Sequence, residues 1–151
     1  MRFMQYIIVS ACLLGQSCRY DGQCRDYPEM AALQGRDDVV LIPVCPEQAG
    51  GLATPRPAAE RSDRGVFTRD GRDVTAEYER GAKEALRLAR LYGCRWAVLK
   101  EKSPSCGSGR IYDGTFTRTL TGGDGMTAAL FRKEGISVVG ESRISWLLER
   151  L

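Results

Sequence analysis

Tyr6-Ile-Ile-Val-Ser-Ala-Cys12 is a short apolar run that ends on a cysteine, and the pattern returns twice in this 151-residue chain. Val39-Val-Leu-Ile-Pro-Val-Cys45 repeats it, and Trp96-Ala-Val-Leu-Lys100 is followed closely by Ser103-Pro-Ser-Cys-Gly107. Runs this short and rich in β-branched residues read as strands buried on both faces, which is how parallel strands are written. Between them lies helical sequence. Tyr78, Ala82, Ala85, Leu86, Ala89 and Tyr92 fall on one face of a helix over about 75–92. Asp73 or Thr75 can cap its start and Gly93 can end it. Alternating strands and helices predict an α/β fold: a Rossmann-like, three-layer domain with a mainly parallel sheet. Open sheets of this class bind ligands at the carboxyl ends of their strands. Cys12, Cys45 and Cys106 would meet there and form a metal site.

The remaining elements follow from local signals. The first strand is expected over about 5–12, a short helix around 29–33, and the second strand over 38–44. The segment 46–73, rich in Pro and Gly, reads as a functional loop with a small hairpin around 65–73. The third strand spans 95–100. Asp113-Gly114 marks a turn within 111–116. Gly122-Gly-Asp-Gly125 leads into a helix to about 134, a fourth strand covers 136–139, and a last helix 142–151. The length suits one domain over 1–151, burying roughly 70% of its unfolded surface without cross-links.

Composition narrows the chemistry. There is no histidine, so a Ser-His-Asp triad and His metal ligands are excluded. Any acid or base must be Glu, Asp, Lys, Tyr, Ser or Cys. No apolar run approaches the ~20 residues of a membrane span. A cytoplasmic protein is therefore expected, where six cysteines point to metal binding, catalysis or burial rather than disulfides. The net charge is +3, and of the 22 basic residues 18 are Arg. No more than two basic residues are adjacent, so a nucleic-acid polymer is not an expected partner.

Three thiolates at strand ends could hold zinc or an iron–sulfur cluster, with one coordination position left open for substrate. Spacing alone equally admits ordinary buried cysteines. Cys18 and Cys24 flank the first loop, and either could approach the site, whereas Cys94 at a helix end reads as packing. Glu47, two residues past Cys45, is a candidate base. Ser103 is a candidate proton relay. Gly122, Gly123 and Gly125 precede a helix whose amides could receive a phosphate, with Arg56 and Arg110 in neighbouring loops.

Together these segments resemble a bacterial family of thiouracil desulfidases, formerly known only as a domain of unknown function. The resemblance is carried by Val9-Ser-Ala-Cys-Leu-Leu-Gly15, Cys18-Arg-Tyr-Asp-Gly22, Pro43-Val-Cys-Pro-Glu47 with Gly50-Gly-Leu52, Lys102-Ser-Pro-Ser-Cys-Gly107, Tyr112-Asp-Gly-Thr-Phe116 and Gly125-Met-Thr-Ala-Ala-Leu130. It implies a [4Fe-4S] cluster held by Cys12, Cys45 and Cys106, with the fourth iron open. It also implies proton handling by Glu47 and Ser103. The expected activity is removal of sulfur from a thiolated pyrimidine by non-redox hydrolysis, giving the oxo-pyrimidine and sulfide. Thiouracil, 4-thiouridine and its monophosphate all fit. Two other readings stand beside it: a zinc-dependent nucleobase hydrolase, although the P-C-x-x-C deaminase signature is missing, and a non-enzymatic iron–sulfur sensor or carrier.

Overall fold

The alternation of Ile7 and Val9 with Ile8 gives the first strand two apolar faces, and a layer of helices covers each. The computed structural model describes residues 3–151, and Met1 and Arg2 lie outside the described residues. In chain order the elements are β1 (Gln5–Ser10), α1 (Ala31–Gln34), β2 (Val39–Val44), α2 (Pro46–Ala49), β3 (Ala59–Ser62), β4 (Gly65–Thr68) and α3 (Thr75–Leu91). Then come β5 (Trp96–Leu99), β6 (Arg110–Tyr112), β7 (Leu120–Gly122), α4 (Met126–Lys133), β8 (Ser137–Gly140) and α5 (Ile144–Leu148). The central sheet runs β2-β1-β5-β8 and every neighbouring pair is parallel.

On one face Ile8, Ala97, Leu99 and Val138 pack with Ala85, Leu86 and Ala89 of α3 and with Ala128 and Phe131 of α4. On the other, Ile7, Val9, Val98 and Val139 pack with Met30, Leu33, Ile144 and Leu147. Phe131 is fully buried, and truncating such a ring to alanine costs about 3–5 kcal/mol. This is the expected three-layer α/β fold. Among the described residues no helix is long and apolar enough to cross a membrane.

The strand order positions the site. The chain leaves β1 toward β2 on one side, then crosses to β5 on the other. The carboxyl ends of β1 and β5 therefore flank a topological switch point, where such sheets open a crevice.

Three expectations need correcting. β1 stops at Ser10, and Cys12 sits in a 3-10 turn over Ala11–Leu14. The hairpin expected at 65–73 is present, with Phe67 bridged to Asp73 and the Thr68 and Val74 amides donating to the Arg72 and Val66 carbonyls at 2.9 Å; β4 also pairs with β3 around Asp63-Arg64, with Ser62 opposite Gly65. Gly65 takes a φ of 127°, which suits glycine and sets the turn there. Asp113-Gly114 does turn the chain, but β6 finds its partner β7 only at Leu120. The last helix is shorter than expected, a 3-10 turn over Glu141–Arg143 followed by α5.

Candidate active site

Three chain segments deliver thiols to one cavity of about 590 Å³ at the switch point, lined by Cys12, Cys18, Cys45 and Cys106. The 3-10 turn after β1 carries Cys12. Cys45 ends β2 in extended conformation, and Pro46 starts α2 behind it, because proline suits a first helical position. Cys106 is set by Ser103, whose Oγ accepts the amide hydrogens of Ser105 and Cys106, each at 3.1 Å. That leaves the Ser103 hydroxyl proton as the group it can offer to the cavity it lines.

Of the two loop cysteines, Cys18 is the one at the site. Its thiol lies within hydrogen-bonding reach of the Cys12 and Cys45 thiols. Cys24 is exposed and its thiol donates to the Gly15 carbonyl at 2.9 Å. Cys94 packs in the core beneath α3, as expected. Burial pushes the Cys106 thiol up to about 12, although the Ser10 and Ser105 hydroxyls oppose the rise. The hydrogen bond with Cys18, then burial, raises Cys45. Cys18 is raised chiefly by Cys12. These thiols are protonated when nothing is bound, so a metal entering here displaces protons. The donors are all sulfur, a soft set suited to iron–sulfur chemistry. Among the described residues no three His, Cys, Asp or Glu side chains close around a position for a single metal ion.

Glu47, in the first turn of α2, also lines the cavity. Its Oε1 accepts from the Tyr78 hydroxyl in a short hydrogen bond and from Arg56 Nε at 3.4 Å. Two glycines permit this meeting. A Cβ on Gly81 would stand 1.9 Å from the Pro46 carbonyl oxygen, and one on Gly50 would stand 2.0 Å from that of Glu77. Only backbone without side chains lets α2 lie so close to α3. Tyr78 is 2% exposed, and burial followed by the Glu47 charge raises its pKa.

Arg56, expected to assist a phosphate, lines the cavity and is tied into it as a clamp. Its guanidinium donates to the Cys18 carbonyl at 2.9 Å, the Ala53 carbonyl at 3.1 Å and Thr54 Oγ1 at 2.9 Å, besides Glu47. At the helix start expected to receive a phosphate, the amides are already engaged within the chain. Gly125, Met126 and Thr127 spend their amides on the carbonyls of Gly107, Pro104 and Ser105, at 2.8 to 2.9 Å. Gly122 and Gly123 lie in a separate groove with Asp63 and Asp124, and Arg110 lines neither that groove nor the thiol cavity. Among the described residues, the exposed cations that line the cavity without an ion pair are Arg25, Lys102 and Arg118, together with Arg69, which lies over the Phe116 ring. Lys102, Phe116 and Arg118 are the non-glycine residues with left-handed backbone among those described, and all three line the cavity. Such strained positions concentrate at functional sites.

Sequence reasoning missed Tyr78, Ser10 and the cationic mouth. Tyr78 sits on the apolar stripe of α3 and so reads as core. Its polar end was the available signal, because a buried tyrosine hydroxyl needs a partner.

The comparisons with known proteins agree with this fold. The family model for 2-thiouracil desulfurase matches residues 7–143. The uncharacterized protein YbbK of Bacillus subtilis strain 168 is 38% identical over 152 residues, covering 94% of this chain and 99% of that protein. Among solved structures, the [4Fe-4S]-dependent thiouracil desulfidase TudS aligns with a TM-score of 0.86 and 49% identity, over 97% of this chain and 99% of its own.

Proposed function

The chain belongs to the 2-thiouracil desulfurase family, and on that premise we propose a [4Fe-4S]-dependent desulfidase that hydrolyses thiolated pyrimidines without external electrons. The net step is C=S plus water giving C=O plus hydrogen sulfide, so no atom is oxidised or reduced. Thiolates of Cys12, Cys45 and Cys106, which line one cavity, would hold the cluster. When bound, it supplies one iron without a protein ligand, a soft Lewis acid for the thiocarbonyl sulfur.

The chain's own groups do the rest. Glu47 takes a proton from the attacking water, and Ser103 gives its hydroxyl proton toward the substrate. The cavity of about 590 Å³ lies within the range of small-molecule sites and would take the pyrimidine ring. At its mouth Arg25, Lys102 and Arg118 have no ion pair among the described residues, and they favour an anionic substituent on the pyrimidine. The substrates are thiouracil, 4-thiouridine or its monophosphate, handled in the cytoplasm, where thiols stay reduced.

One observation carries the reading: Glu47, Ser103 and the three thiols, drawn from separate segments, line the same cavity. The test is turnover of 4-thiouracil by anaerobically reconstituted Glu47→Gln and Ser103→Ala. Both are expected to keep iron and lose turnover, Glu47→Gln by about 10²–10⁴-fold. Near wild-type rates would reject these roles.

A further inference from the structure

The two oxygens of Glu47 are not equivalent. Oε1 accepts both the Tyr78 hydroxyl and Arg56 Nε, which uses the lone pairs that lie in the carboxylate plane. Oε2 receives no donor from any described residue, and Glu47 lines the cavity. The side chain of Arg56 is 5% exposed and that of Glu47 17%, so neither partner is a mobile surface group. From this asymmetry we infer that Tyr78 and Arg56 are positioning residues that pin Oε1, so that Oε2 alone meets the reacting water. The inference rests on the reading of Glu47 as the base.

The anchors on either side explain why this arrangement holds. The Tyr78 ring packs with Val66 and Val74, on a helix fixed against α2 by the Gly50–Gly81 approach. Arg56 ties Glu47 to the Cys18 carbonyl at 2.9 Å, and the Cys45 thiol donates to that same carbonyl at 3.7 Å. The base and the thiol loop are thus held to one guanidinium. A carboxylate on a rotatable stem would otherwise sample several rotamers. Misplacing a reacting group by about 1 Å costs on the order of 10²-fold. The phenol does not take part in the proton transfer; it donates to the oxygen that is already committed.

The test uses the anaerobically reconstituted holoenzyme. Tyr78→Phe keeps the ring and removes only the hydroxyl. It is expected to lower kcat roughly 10- to 100-fold, with KM and iron content unchanged. In a Glu47→Gln background it should cause no further loss, because it acts only through Glu47. Arg56→Lys keeps the charge but not the fork, and should also lower kcat with little change in KM. A readout independent of turnover is the carboxylate infrared band that disappears in Glu47→Gln; in cluster-free protein that band should shift in Tyr78→Phe. Wild-type kcat in Tyr78→Phe, or equal losses in both backgrounds, would overturn the positioning role while leaving the base standing. Wild-type turnover by Glu47→Gln would overturn the base itself and the inference with it.

Discussion

Helices α2 and α4 both begin beside a cysteine of the cavity, and only one of them presents a functional group there. α2 starts on Cys45-Pro46 and holds Glu47 at the cavity wall. α4 starts on Gly125, with a glycine-rich approach that looks more like an anion site, yet its first amides are hydrogen-bonded to the carbonyls of Gly107, Pro104 and Ser105. Gly125 is there for contact: a Cβ would sit 2.4 Å from the Ser105 carbonyl carbon. A glycine before a helix therefore has two meanings, open amides or close packing, and only hydrogen-bond partners tell them apart. In this molecule α4 supports the loop that carries Cys106, and α2 carries Glu47, the base of the proposed reaction.

The largest effects should come from the cavity's thiols, two of which these helices position. Cys12→Ala, Cys45→Ala and Cys106→Ala should each abolish the reconstituted cluster, read by iron and sulfide content, while Cys94→Ala retains it. A full iron complement in any of the first three would remove that residue from the ligand set. Next comes the α2 side alone. Glu47→Gln should leave iron in place and lower kcat by about 10²–10⁴-fold, which separates chemistry from scaffold.

Steric breaks of the two helix contacts come third. Gly81→Ala gains up to about 1 kcal/mol of helix propensity. Against that, its Cβ would stand 1.9 Å from the Pro46 carbonyl oxygen, and overpacking costs about 1–3 kcal/mol. The clash should win, lowering Tm by several degrees and displacing Glu47, so turnover falls in the folded fraction too. Gly125→Ala should lower Tm similarly but act through iron loading, since it pushes on the Cys106 loop. Equal iron loading in the two variants would erase the distinction drawn between the helices.

The smallest effects concern the mouth. Arg118→Ala and Lys102→Ala should raise KM for 4-thiouridine monophosphate several-fold and leave that for free thiouracil unchanged, in line with the modest worth of exposed charge pairs. Gly122→Ala, whose Cβ meets nothing within 4 Å, should change neither. A monophosphate effect at Gly122 would reinstate the helix-start site.

Much of this was legible in the chain. Each parallel strand is a short apolar run, and a run ending on cysteine places that thiol at the active edge whatever the details of packing. Glu47 was legible for the same reason, lying two residues beyond such an end. What could not be read depended on partners far away in sequence. Tyr78 has the spacing of a core residue, and its hydroxyl reaches Glu47 only because Gly50 and Gly81 bring α2 alongside. Arg56 looks like a free loop cation until the carbonyls of Cys18 and Ala53 take its donors. Asp63-Arg64-Gly65 and Asp70-Gly71 are both turn signals and the chain turns at both, so the expected hairpin at 65–73 is joined by β3, whose pairing with β4 was not legible.

The measurement that bears most directly on the account is the fate of solvent oxygen. Anaerobic turnover of 4-thiouracil by the reconstituted enzyme in H₂¹⁸O, with no reductant added, should yield uracil carrying one ¹⁸O at the former thiocarbonyl carbon and one equivalent of sulfide. Product without ¹⁸O, or turnover only when an electron donor is supplied, would contradict hydrolysis at this cavity.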